Sequence, residues 1–218
     1  MANRCRNLWY KTCKYGLSLL PDVLFHNTVG FIMHKRFHVP FHWMDIKHPR
    51  TFSEKINYLK THPVVSNEAE LADKYDVRDF IKRTIGEQYL IPILGVWDNA
   101  DDIDFDKLPN QFVLKLTKGS GYNLICNDKS KLNLKQTRKM LREWLNVNCY
   151  YFSREPQYKG KSKLVAEEML EYNITDYKFF CFHGKPMYVE LYIDRFGNHK
   201  KLFCDMDWNI AGFTTANE

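Results

Sequence analysis

The sequence predicts an α+β fold, and three observations carry that prediction. Capped, helically spaced apolar residues fill the stretch from Thr51 to Gly86. Two apolar runs, Phe112–Lys115 and Leu124–Cys126, flank a glycine loop. Two further strand pairs occupy the C-terminal part. With 218 residues, 44% of them hydrophobic and 15% aromatic, the chain can build one large core or two small lobes.

Residues 1–50 are aromatic and basic, with Arg4, Arg6, Lys11 and Lys14 near the start. Trp9, Cys13, Leu17, Leu20 and Leu24 share one helical face, opposite Lys11, Lys14 and Ser18. Such a helix either docks on its own domain or rests on an anionic membrane surface. Thr51-Phe52-Ser53-Glu54 has the form of a capping box, opening a short helix with Phe52, Ile56 and Leu59 turned inward. Asn67 and Glu70 open a second helix that runs through Ala72-Asp73-Lys74-Tyr75. Asp76 caps a third, which buries Val77, Phe80 and Ile81 and stops at Gly86. Pro92 makes Ile91–Trp97 an edge strand.

The two runs around the glycine loop come next. A helix capped by Asn133 and Gln136 follows, its apolar stripe including Leu134, Leu141, Trp144 and Leu145. Cys149–Lys163 reads as a loop and Leu164–Leu170 as a strand. Tyr177–Phe182 and Met187–Ile193 form a hairpin about His183-Gly184. A last strand pair, Lys201–Cys204 and Trp208–Phe213, flanks Asp205-Met206-Asp207.

The formal net charge of +6 favours anionic partners without choosing among them. Six cysteines without a Cys-x-x-Cys pair or a framework spacing read as reduced, which suits the cytoplasm. The basic start lacks a signal-peptide pattern, and no apolar run reaches membrane-spanning length. The expected protein is cytoplasmic, with peripheral membrane contact through residues 1–50 left open.

The most informative local feature is Lys115. It ends an apolar strand, Phe112-Val113-Leu114-Lys115, three residues before Lys118-Gly119-Ser120-Gly121. A cation at the end of a buried-type strand requires an anionic partner, either a protein carboxylate or a phosphate gripped under the loop. The loop is not a P-loop, since Gly-x-x-x-x-Gly-Lys-Ser/Thr is absent. Gly119-x-Gly121 also lacks a third glycine and joins two strands, which argues against a Rossmann site.

Other clusters are weaker. His34, His38 and His42 recur at helical spacing, but Pro40 interrupts the helix a metal site would need. Tyr150, Tyr151, Phe152, Arg154, Tyr158, Lys159, Lys161 and Lys163 interleave rings and cations. That mixture suits single-stranded nucleic acid, an acidic sugar polymer or a plain exposed loop. Glu167, Glu168, Glu171 and Asp176 gather acids where one lobe would give way to the next.

Taken together, a series of separated motifs resembles the TupA-like branch of the ATP-grasp superfamily. They are Arg50-Thr51-Phe52-Ser53-Glu54-Lys55-Ile56, Ala72-Asp73-Lys74-Tyr75 and Ile91-Pro92-Ile93-Leu94-Gly95-Val96-Trp97. Phe112-Val113-Leu114-Lys115, Gly119-Ser120-Gly121 and Ala166-Glu167-Glu168 follow. Asp176-Tyr177-Lys178-Phe179-Phe180-Cys181-Phe182, Asp194-Arg195-Phe196 and Asp205-Met206-Asp207-Trp208-Asn209 complete the series. The resemblance implies an ATP-grasp-like two-lobed fold with antiparallel sheets and an incomplete second lobe. The expected division is a basic aromatic segment at 1–50, a helical lead-in with one strand at 51–110, a nucleotide-clamping lobe at 111–170 and the start of the second lobe at 171–218.

The same resemblance implies ATP and Mg2+ as cofactors. It assigns Lys74 and Lys115 to the α/β-phosphates, with Lys118 as an added cation where the family usually has Asn-His before its glycine loop. Gly119, Ser120 and Gly121 would close on the γ-phosphate. Glu167, Glu168 and the backbone through Leu170 would face adenine, and Asp176 the ribose, with Lys178 nearby.

The implied activity is carboxylate–amine ligation through an acyl phosphate on an acidic sugar or amino acid, within bacterial surface polysaccharide synthesis. It implies no nucleic-acid partner, asks little of a protein nucleophile, and leaves the catalytic residues unassigned. The family's magnesium carboxylates lie on late strands for which this sequence has no match, so activity is expected only if that segment is supplied. The alternatives are a catalytically incomplete nucleotide- or glycan-binding remnant, or a glycosyltransferase-like protein using Asp205 and Asp207.

Overall fold

Local chemistry starts each element of the computed structural model, which describes residues 2–62, 67–171, 174–194 and 197–213, without the side chains of 2–7. At the N-terminus, helix α1 (Ala2–Tyr15) stops before Gly16, and Pro21 starts α2 (Asp22–Phe37). The single helical face expected from Trp9 to Leu24 is therefore divided between two helices. Cys13 is fully buried, whereas Leu24 stays exposed.

Both reciprocal bonds of the capping box open α3 (Phe52–Thr61), Glu54 N–H donating to Thr51 and Thr51 N–H to Glu54. Glu54 also accepts from the backbone of Asp45 and Arg50, and the bond from Thr51 leads these in lowering its pKa to about 2. The buried side chain of this helix is Glu54, while Phe52, Ile56 and Leu59 remain exposed, contrary to the apolar spacing.

Helix α4 (Glu68–Ala72) has no side-chain cap from Asn67, and α5 (Val77–Thr84) has none from Asp76. The cap lies one turn earlier. Buried Asp73 accepts from the N–H groups of Tyr75 and Asp76 at 2.8 and 3.2 Å. Helix α6 (Leu134–Leu145) begins as expected, with Asn133 accepting from Gln136 N–H at 3.1 Å. A short helix, α7 (Tyr150–Ser153), occupies the start of the segment read as a loop.

The chain divides into two units, residues 1–168 and 169–218. The first contains a four-stranded antiparallel sheet, ordered β1 (Ile93–Trp97), β4 (Leu164–Glu168), β2 (Phe112–Leu116), β3 (Asn123–Cys126). Pro92 precedes β1, which lies on the sheet edge. One sheet face presents Phe112, Leu114, Leu116, Leu164 and Ala166 to Leu141 and Trp144 of α6, forming the core. Alternation puts Val113, Lys115, Val165 and Glu167 on the other face.

Arg154 ties α1 and α2 to this unit. Its guanidinium pairs with Asp22 at 2.5 Å, donates to the carbonyls of Ser18 and Leu20 at 3.0 and 2.8 Å, and lies over Phe25. The Tyr- and Arg-rich segment thus serves as a clasp within the protein.

The second unit is a three-stranded antiparallel meander of β5 (Asp176–Phe182), β6 (Lys185–Ile193) and β7 (Lys200–Asp205). The β5–β6 turn is His183-Gly184, both with positive φ, as a two-residue hairpin requires. Trp208–Phe213 is not a strand among the described residues. It contributes one bridge, Ile210 with Cys204, because the Asp205 carboxylate captures the backbone N–H groups of Asp207 and Asn209 and holds a turn.

Candidate functional site

The β2–β3 hairpin carries Lys115 at its tip-proximal end and the glycine loop at its apex. Lys115 pairs across the strand register with Asn123 on one side and Val165 on the other. Its ammonium meets Glu167 at 2.5 Å. Of the two partners open to Lys115, the carboxylate is the one present. Glu167 is buried, and its other oxygen lies 3.8 Å from the Arg78 guanidinium.

Arg78 also donates to the carbonyl of Ile91 at 2.7 Å, joining α5 to the lead-in of β1. Sequence reasoning missed Arg78. It sits in the first turn of α5, where the helix dipole disfavours a cation, and that placement was the available sign of a tertiary partner.

Lys74 lies on the underside of the loop. Its ammonium donates to the carbonyls of Leu116, Thr117 and Gly119 at 3.0, 3.2 and 2.8 Å, and its backbone N–H adds a bond to Thr117 O. Burial holds its pKa below the usual lysine value; Asp73 opposes that shift and the Lys115 charge adds to it. Three oriented carbonyls satisfy all three protons of an ammonium. Lys74 is therefore a clamp that fixes the loop backbone.

Thr117 is fully buried. Its hydroxyl accepts from Lys163 N–H at 3.0 Å, while its own N–H donates to Lys163 O at 2.9 Å. Lys118 reaches the carbonyl of Lys159 at 3.0 Å. Thr117 and Lys118 thus anchor the loop to the segment leading into β4.

Gly119 has φ 106°, and a side chain there would begin 2.8 Å from the Cys149 sulfur. Gly121, at φ 80°, faces open space. Burial raises the pKa of Cys149, so the thiol packs against the loop in its neutral form.

Two pockets flank this loop. One, of about 470 Å³, is lined by Tyr75, Asp76, Arg78, Lys82, Glu87 and Lys118. Burial is the leading cause of the raised Asp76 pKa there, followed by Asp73. The other, of about 450 Å³, includes Ser120, Tyr122, Cys149, Phe152 and Tyr158. The first is rich in charge and the second in rings.

The first unit thus brings Lys74, Lys115, Lys118, Gly119, Ser120, Gly121 and Glu167 to one end of its sheet. Glu168 is exposed beyond Glu167, its N–H bound to Pro92 O at 3.0 Å. Leu170, Asp176 and Lys178 belong to the second unit. There Lys178 pairs with Asp176 and its ammonium lies 3.7 Å from the centre of the Tyr192 ring. Lys201 approaches the same ring at 5.3 Å and buried Glu190 at 3.9 Å.

Among the described residues, no three His, Cys, Asp or Glu side chains converge in a way that holds a metal ion. The Asp205 carboxylate is engaged by its own turn, chiefly with Asn209, whose side-chain bond leads the causes lowering its pKa.

No curated protein and no solved structure matches this chain. The family model described as TupA-like ATPgrasp matches residues 54–218, a stretch that takes in the clamp lysine, the glycine hairpin and the Lys115–Glu167 pair. On that match and on its mixed helical and antiparallel architecture, the chain belongs to the TupA-like ATP-grasp family.

Proposed function

We propose that this protein binds ATP at the glycine hairpin and ligates a carboxylate to an amine through an acyl phosphate. The carboxylate would belong to an acidic sugar or amino acid of a bacterial surface polymer, and a cytoplasmic setting goes with that use of ATP. The observation that carries the reading is the loop itself. A glycine turn is held from beneath by Lys74 and packs on the Cys149 sulfur, next to Lys115, whose carboxylate partner a phosphate would replace.

Such chemistry requires no protein nucleophile. It depends on in-line positioning, on cations near the phosphates and on water exclusion by a closing loop. In this reading a phosphate takes over the Lys115 ammonium, and Glu167 stays neutralised by Arg78. The adjoining pocket sets Arg78, Lys82 and Lys118 against Glu70, Asp76, Asp79 and Glu87, with Lys82 paired to Glu87 at 2.8 Å. Glu168 would face the base of the nucleotide.

Magnesium belongs to the family's chemistry, where it neutralises phosphate charge. The described residues do not supply a metal site of their own, so no step here runs through it.

Calorimetric titration of ATP, with and without magnesium, into the purified chain tests the binding. We expect affinity to fall more than about tenfold in K115M, the loss expected when a charged contact to phosphate is removed. Magnesium-dependent ADP release on adding a uronic acid and an amino acid would support ligation. Binding without turnover would leave the nucleotide-binding remnant. No binding at all would overturn both.

A further inference from the structure

Helix α2 and the strap after it precede residue 54, where the family match begins. The helix ends at His38, whose left-handed φ of 55° turns the chain back along the helix it has just left. Asn27 secures the return, accepting from Met44 N–H at 2.7 Å and donating to Met44 O at 3.1 Å. Phe41 lies over Gly30 and meets Phe31 edge-on at 5.8 Å, while the His34 ring lies 2.7 Å from Val39 O.

With its inner side so occupied, the strap leaves a line of apolar side chains outside. Trp43 is 63% exposed, Phe37 58%, Phe31 47% and Val39 45%. Cations sit on these rings: Lys35 is 5.4 Å from the centre of Phe31, and Arg36 is 5.3 Å from that of Phe37. Between Asp22 and Asp45 the sequence contains no carboxylate at all. Asp22 itself is neutralised by Arg154.

A set of exposed rings bearing lysine and arginine, with no acid between Asp22 and Asp45, matches the chemistry of a lipid interface. Rings partition at the headgroup level and cations meet lipid phosphates. We infer that the α2 ridge, Phe31, Phe37, Val39 and Trp43 with Lys35 and Arg36, seats the protein on an anionic bilayer surface. No described helix is long and apolar enough to cross a membrane, so the contact is peripheral. Aliphatic Val39 in the line favours lipid over a nucleic acid, whose bases would need ring after ring to stack on. The inference is independent of the ligase reading, since no ridge residue lines either pocket by the glycine loop.

Co-sedimentation of the whole chain with phosphatidylcholine vesicles, with or without phosphatidylglycerol, provides the test. The chain should pellet with the anionic vesicles, stay in solution with the neutral ones, and be released by salt. The F37S/W43S variant should bind about tenfold more weakly, and K35E/R36E weaker still. Circular dichroism of each variant reports its fold, and quenching of tryptophan fluorescence by brominated lipid reads insertion in the unaltered chain. Both variants should still titrate ATP as the parent does, which separates this result from failure of the ligase reading. The inference is overturned if anionic vesicles do not pellet the chain, or if the folded ridge variants bind like the parent. It is equally overturned if the ridge instead governs self-association or binding to single-stranded DNA or an acidic protein while vesicles are ignored.

Discussion

The helical lead-in and the second sheet hold their cations differently. In the first unit, Lys74 is saturated by three carbonyls, and Arg78 divides itself between a carbonyl and buried Glu167. In the second unit, Lys178 and Lys201 share the Tyr192 ring and face single carboxylates at a partly exposed surface. Backbone carbonyls are neutral acceptors fixed in the chain, so a lysine held by three of them organises backbone. A lysine held by one carboxylate or a ring can exchange that partner for a phosphate. This criterion predicts that Lys74 acts as scaffold and that Lys115 and Lys178 release their partners more readily.

The sharpest way to break that distinction is to remove the clamp. K74M should lower the unfolding free energy in urea by about 3 kcal/mol, since three backbone acceptors lose a charged donor. ATP binding should go with it as the loop loosens. If K74M unfolds like the parent while binding alone disappears, Lys74 is a phosphate ligand and the comparison fails.

Acid should separate the units next. His26 in the first unit is 5% exposed, its Nε2 has no hydrogen-bond partner among the described residues, and burial lowers its pKa to about 4. Both described histidines of the second unit, His183 and His199, are exposed. A folded-state pKa below the unfolded value means that the unfolded chain binds the proton more tightly. The stability from neutral His26 is then fully present above about pH 6.5 and is lost as pH falls through about 4, a change of about 3 kcal/mol. Tm measured across that window should fall in the parent, and the His26 part of the slope should vanish in H26F.

The loop itself offers a finer comparison. G119A meets both a positive φ and the Cys149 sulfur, and should cost about 2 kcal/mol. G121A meets only the positive φ, and should cost about 1 kcal/mol. Equal costs in thermal unfolding would show that the packing of Cys149 beneath the loop contributes nothing.

The smallest stability effect belongs to the exchangeable group. K178M should change Tm by less than the equivalent of about 0.5 kcal/mol, as exposed pairs do. A large loss of stability would move Lys178 to the scaffold class.

Much of the local architecture was legible because its causes are local. The capping box at Thr51 and Glu54, the Asn133 cap, the edge position of Ile93–Trp97 and the His183-Gly184 turn all depend on residues within a few positions of each other. The errors came where a nearby polar side chain offered a competing bond. Asp73 took the capping role expected of Asp76, and Asp205 drew its backbone neighbours into a turn where a strand was expected. Apolar spacing also misled at Phe52, Ile56 and Leu59, since a helix with a suitable period still needs a surface to bury against.

By itself, the order of motifs along the chain determined the family, and short-range patterning determined the α+β class and the glycine hairpin. Both are properties of neighbouring residues, which a linear string displays in full. Only the tertiary structure decided what each cation does. Lys74 meets carbonyls beyond Leu116, Lys115 meets Glu167, and Arg154 meets Asp22, partners separated by tens of residues or more in sequence. A lysine carries the same charge whether it fixes a backbone or awaits a phosphate, and the oxygen that folding brings to it decides between them.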